Sequence, residues 1–262
     1  MSPVCCVAIT PPRSLASLCC ALVMLTVFGA APAVADCSDA PAAGVDWSTC
    51  QKVRLVMKGE DLSRGEFSET FFTSSDLSGS NLAESNLVRS DLSMASLAGA
   101  NLTGAMLEKA MGTRTDFSGA DLRSANLVAA AFARSAFTKA NLAGANLKNS
   151  EMNRSDFSGA DLTGADMSKA ELARVILTDA TVKDVSFSYS NLSRSDLRGV
   201  QLGNADLTGA YMFLTLLDGA DLSGATGLTG DQLAIACGTA STKLPAGLTA
   251  PQNWPCPVYD DD

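Results

Sequence analysis

Five arginines, Arg114, Arg134, Arg154, Arg174 and Arg194, recur at intervals of 20 residues. A chain that closed one turn every twenty residues would set them in a single column. The guanidinium is the side chain best suited to bidentate recognition of carboxylate, sulfate or phosphate. Such a column would be self-repelling, by somewhat under ~1 kcal/mol per neighbouring pair in water before screening, so something must offset its charge. Asp116, Asp156 and Asp196 stand two residues after three of the arginines. The plain expectation is a surface ladder of Arg/Asp pairs, which contributes little stability. The sharper one is an anion-binding stripe for a polyanionic polymer or an acidic partner surface, centred on Arg134 and Arg174, which lack the following Asp.

Little else in the chain is suited to chemistry. There is no histidine among the 262 residues, which removes imidazole metal sites, Ser-His-Asp triads and Cys-His dyads together. Regularly spaced carboxylates such as Asp156, Asp161 and Asp166 reflect a repeat rather than an acid/base pair. The glycine-rich phosphate loops and the calcium-binding nonapeptide are absent. No metal site, cofactor, catalytic residue or small-molecule substrate is therefore expected, and the chain reads as no enzyme. With 19 Lys and Arg against 28 Asp and Glu the net charge is -9, which disfavours direct nucleic-acid binding.

The elements that must position these residues come from one periodicity. Between residues 62 and 222 every fifth position forms a series of 33, of which 32 are Leu, Phe, Met or Val, with Gly112 the exception. Two residues before each centre stand 16 Ala, 9 Ser and 3 Thr, and the residue between is Asp or Asn at 18 of the 33. A period of five matches neither a helix nor an ordinary strand. It requires a turn every five residues, and eleven glycines two residues after a centre, among them Gly79, Gly99, Gly159 and Gly219, supply the positive φ of a type II turn.

Runs such as Ala120-Asp121-Leu122 and Ala145-Asn146-Leu147 resemble the motif of the pentapeptide-repeat family, and the likeness spans residues 60–224. The resemblance implies an all-β fold, a right-handed quadrilateral parallel β-helix of about eight coils in which four pentapeptides make one square turn. At a strand spacing of ~4.8 Å the rod would be roughly 39 Å long. Residues twenty apart become vertical neighbours, so Phe117, Phe137 and Phe157 form one aromatic ladder, and the gap at Gly112 is filled by Phe132 or Met111. No coil is stable alone, and the ends need caps.

The division expected is a signal peptide over 1–35, an N-terminal cap with a disulfide over 36–58, the β-helix over 59–226, and a C-terminal helix with an extended tail over 227–262. The leader reading rests on a single base, Arg13, an apolar stretch over 15–31 and the small-x-small site Ala33-Val34-Ala35. Cleavage after Ala35 would leave no membrane segment and a periplasmic or secreted chain. Its remaining Cys37, Cys50, Cys237 and Cys256 read as two disulfides rather than a zinc site, since no CxxC spacing occurs. Three connectivities are open; local pairing, 37 with 50 and 237 with 256, is favoured because it staples both irregular ends. The N-terminal cap is expected to shield Phe71. Thr229-Gly230-Asp231-Gln232 forms a capping box before a short helix stopped at Gly238.

Outward-facing Tyr211, Phe213, Leu214 and Leu216 need cover, either from the C-terminal helix and tail or from a second copy, so the chain is a monomer or a homodimer. The functional expectation is an exported, rigid, non-enzymatic surface for an unidentified protein partner. The alternative follows from the resemblance: family members that imitate duplex DNA inhibit or protect a type II topoisomerase, the basis of a quinolone-resistance phenotype.

Overall fold

The computed structural model describes residues 35–256. The expected leader and the terminal segment from Pro257 onward lie outside the described residues. From Asp46 the backbone repeats one five-residue unit: a bridge residue, a buried centre, two turn residues and a buried small residue. Each bridge residue pairs in parallel with the residue twenty further on, as in Asp46↔Glu66, Asp116↔Ala136 and Asp206↔Thr226. Four units make one square coil of a right-handed quadrilateral β-helix, and the register of twenty runs through about nine coils.

Hydrogen bonding explains why the chain turns so often. The carbonyl of a centre accepts from the amide three residues on, closing a β-turn at each corner, as Phe117 does from Ala120 N at 3.0 Å. The third turn residue is left-handed. Its own amide donates to the coil below, as Arg134 N does to Asn153 O at 2.9 Å. That bond holds the geometry even where no glycine stands: among the described residues twenty-three non-glycine positions have φ between 53° and 62°. Left-handed backbone costs an L residue about 1–2 kcal/mol, so the ladder rather than glycine content dictates the corner. Gly224, by contrast, is not left-handed.

The core is what the five-residue pattern demands. Every centre from Leu62 to Leu222 is buried, and the small residues before them complete the wall. Where these are Ser or Thr, most hydroxyls donate inward to a centre carbonyl of the coil above, as Ser155 does to Phe132 O at 2.7 Å and Thr215 to Leu192 O at 2.7 Å. Phe117, Phe137 and Phe157 stack at 4.9 and 4.8 Å with planes 10° and 6° apart. Phe132 turns its edge into the space above Gly112 and meets Phe117 at 5.1 Å in a T-shaped contact. A Cβ on Gly112 would lie 2.7 Å from the Phe132 ring. Phe132 is thus the filler, while Met111 points to solvent.

The wall begins earlier than residue 59. Trp47, Lys52 and Met57 occupy centre positions of a first coil, and the cap is confined to residues 35–45. Lys52 takes the place of a leucine by lying 3.7 Å over the Trp47 ring and donating from Nζ to Cys37 O at 2.8 Å. Burial pushes its ammonium below the usual lysine range, against the pull of Asp39 and Asp36. Phe71, a bridge residue on the outside of the second coil, remains 40% exposed and is not shielded by the cap.

At the other end the short helix α1 spans Gly230–Ile235, opened by a complete Thr229/Gln232 capping box. Gln232 Nε2 also donates to Leu207 O at 2.8 Å and Ala210 O at 2.9 Å, closing carbonyls of the final coil. After α1 the chain rejoins the ladder at Leu216↔Cys237 and Asp221↔Lys243. The helix ends at Ala236 in extended backbone. Gly238 acts beyond it, giving room to Trp254, whose ring a Cβ would meet at 2.4 Å. Cys37 is joined to Cys50 and Cys237 to Cys256.

Candidate functional site

The corner that carries the arginines shows how the fold builds a site from repetition. Arg114, Arg134, Arg154, Arg174 and Arg194 all occupy the left-handed corner position, with φ from 57° to 62°. Equivalent backbone in successive coils projects their side chains along one line, and all five are exposed. At a strand spacing of ~4.8 Å the column is roughly 19 Å long. Arg54 begins the same column three coils earlier, and Leu214 ends it.

The pairs expected with the following aspartates do not form for the first members. Asp116 accepts from Ser118 N at 2.9 Å, and Asp156 accepts from Ser158 N at 2.8 Å. Asp196 is held by Arg198 at 2.6 Å. Its carboxyl, though burial pushes it upward, is kept below the usual range by hydrogen bonds from Arg198. Each of these carboxylates serves the turn that follows it, because the amide two residues on lies within reach of an Asx-type bond. Among the described residues no ion pair within 4.0 Å links Arg114, Arg134, Arg154 or Arg174 to a carboxylate.

One side of the rod lies between this column and a second basic corner with Arg89, Lys109, Lys148 and Lys169. The bridge residues along that side are Gln51, Phe71, Asp91, Met111, Ala131, Glu151, Glu171, Asn191 and Tyr211. The opposite side carries Asp61, Asn81, Asn101, Asp121, Asn141, Asp161 and Asp221. There Asn81 Nδ2 bonds Asp61 and Asn101 Nδ2 bonds Asn81, both at 3.0 Å. The charge is therefore polarised across the rod, which composition alone hides.

The apolar group near the C-terminal end divides. Leu214 and Leu216 are half-covered by the returning chain, Leu214 N donating to Ile235 O at 2.7 Å. Tyr211 and Phe213 stay 52% and 40% exposed, with ring planes 11° apart and centroids 6.3 Å apart. Trp254, in the tail expected to cover them, donates instead to Ala236 O at 2.7 Å. A shallow depression beside Tyr211 is lined by Gly209, Thr229, Asp231, Gln232 and Ile235. Neighbouring Tyr189, which sequence reasoning missed, is 64% exposed. Among the described residues no group of three acidic or Cys side chains could hold a metal ion, and no helix is long and apolar enough to cross a membrane.

Two family signatures match this chain, "Pentapeptide repeats (8 copies)" over 61–93 and 90–127 and "Pentapeptide repeat region" over 130–207. The chain belongs to the pentapeptide-repeat family. Its solved relatives include a trypsin-treated variant of QnrB1, a plasmid-mediated fluoroquinolone resistance protein. That structure is 19% identical, with a TM-score of 0.53 over 68% of this chain and 84% of that one. HetL, involved in heterocyst differentiation regulation in the cyanobacterium Nostoc sp. strain PCC 7120, is 26% identical, with a TM-score of 0.48 over 78% and 91%. A pentapeptide repeat protein of the Arabidopsis thaliana thylakoid lumen is 29% identical, with a TM-score of 0.25 over 50% and 77%. No curated protein matches.

Proposed function

We propose that this pentapeptide-repeat protein is an exported, non-enzymatic rod whose outer surface binds a macromolecular partner. The observation that carries the reading is the polarised charge: one side edged by basic columns on a chain whose net charge is -9. An extended surface with cations repeated from coil to coil fits a partner that is itself long or broad. Asp116 and Asp156 close the turns that follow them, and most inner Ser and Thr hydroxyls bond core carbonyls. The two disulfides suit an oxidising compartment.

Fractionation of cells expressing the full chain with a C-terminal tag tests this reading. The expected result is a processed protein in the periplasm or medium with no free thiol, co-purifying with an envelope or extracellular macromolecule. A cytosolic, reduced protein that blocks gyrase supercoiling would overturn it in favour of topoisomerase inhibition by DNA mimicry.

A further inference from the structure

We propose that residues 257–262 fold back along the C-terminal end of the arginine column, with Asp260, Asp261 and Asp262 pairing with Arg194 and Arg174. The chain then carries its own occupant for that end of the surface. The contact stands without the surface-binding reading above; only its role as a competitor that a macromolecular partner must displace rests on that reading.

The anchor point selects this segment. Cys256 is joined to Cys237, their Cα atoms 5.3 Å apart. Cys237 pairs in parallel with Leu216, on the side that also carries Ile176 and Asp196. Two residues earlier, Ile235 O accepts from Leu214 N at 2.7 Å, at the corner where the column ends. Cys256 therefore stands two coils from Arg194 and three from Arg174, roughly 10 and 14 Å along the rod. The chain beyond it reads Pro257-Val258-Tyr259-Asp260-Asp261-Asp262. An extended chain covers up to ~3.3–3.6 Å per residue, so Asp260, four residues on, reaches the level of Arg194, and Asp262 reaches that of Arg174. A segment tethered within reach acts at an effective concentration of order mM, an advantage that no free polyanion shares.

The charge around these two arginines favours the same occupant. The bridge residues beside them are Glu171 and Asn191 on one side and Ile176 and Asp196 on the other. Arg198 pairs with Asp196 at 2.6 Å, so Glu171 is the one of the four that brings an unbalanced charge. Arg154, one coil further, has both Glu151 and Asp156 beside it, which repel an acidic segment there. Arg134 has only Ala131 and Ala136 beside it, but it lies five coils from Cys256, roughly 24 Å, and beyond the reach of six residues.

An apolar match is a second, independent pointer. Phe213, next to the corner residue Leu214, is 40% exposed, and Trp254 is turned away from it to Ala236 O. On the proposed path Val258 and Tyr259 cross the level of Phe213 before the aspartates meet Arg194, which sets apolar side chains against a bare ring.

Phenylglyoxal modification of the purified, disulfide-bonded chain, followed arginine by arginine by peptide mass spectrometry, tests the proposal. Arg174 and Arg194 should react about threefold more slowly in the parent than in a chain ending at Cys256, as expected for a few exposed but tethered ion pairs. Arg134, out of reach, should react equally in both. High salt should erase the difference. Asp260→Asn/Asp261→Asn/Asp262→Asn, which keeps the length, should behave as the shortened chain does, and it carries the test if shortening disturbs the Cys237–Cys256 link. Equal rates at Arg174 and Arg194 in the parent and the asparagine variant, or a change at Arg134 as large as theirs, overturns the proposal. The measurement needs neither a partner nor export, so its outcome is separate from that of the surface-binding reading.

Discussion

At the scale of single residues, the core is least forgiving where large rings meet. Phe137 lies between Phe117 and Phe157 and has no exposed surface. Phe137→Ala should therefore lower stability by about 3–5 kcal/mol, read as a shift in the guanidinium midpoint with the m-value unchanged. Gly112→Ala should cost about 1–3 kcal/mol by overpacking, since its Cβ would also fall 2.3 Å from Thr115 Oγ1. Combining it with Phe132→Leu, which vacates that space, should recover part of the loss in a double-mutant cycle. The sequence exposed both positions, because any departure from a strict fifth-residue pattern is conspicuous. It did not expose Lys52, a charged side chain at a buried centre. Nothing in the local pattern shows that Cys37 O and the Trp47 face receive its ammonium.

At the scale of elements, the corners and caps set how the rod meets acid and where it opens. Asp76 and Asp221 are held down at about 2, by Ser78 with Lys58 and by Ser223 with Lys243 respectively. A carboxylate whose folded pKa lies below its unfolded value stabilises above the unfolded value, and the contribution fades as protons bind the folded state. The melting-temperature gap between the parent and Asp76→Asn/Asp221→Asn should thus be constant above about pH 5 and close as the pH falls toward 2. At the C-terminal end, Gln232→Ala leaves Ala210 O without its partner and Leu207 O with only the turn bond from Ala210 N, and should cost about 1–3 kcal/mol. Hydrogen exchange should show the final coil opening first in that variant. The turn every five residues, the capping box and the vertical register were legible because each rests on short-range spacing. The first coil was not, since of the Ala-Asp-Leu signature it keeps only Asp46, with Trp47, Lys52 and Met57 at its centres.

At the scale of the whole molecule, stability is a chain of neighbour contacts closed at both ends. The Cys37–Cys50 link spans 13 residues and the Cys237–Cys256 link 19. In the loop-entropy account each stabilises by about 3 kcal/mol. Reduction should lower the melting temperature and make the terminal coils the first to exchange, with the central coils changed least. The twenty-residue arginine spacing was readable from the sequence, whereas the engagement of Asp116 and Asp156 by their own turns was not. The competing partner, the turn amide two residues on, lies in the backbone rather than in any residue type. The recess over Gly112 and the ring of Phe132 that enters it also bear on fidelity. A folding chain made of near-identical storeys can skip one by looping it out. Looping out either the coil of Gly112 or that of Phe132 would remove the edge contact between Phe132 and Phe117, so this level carries a register mark that the repeated leucine levels lack.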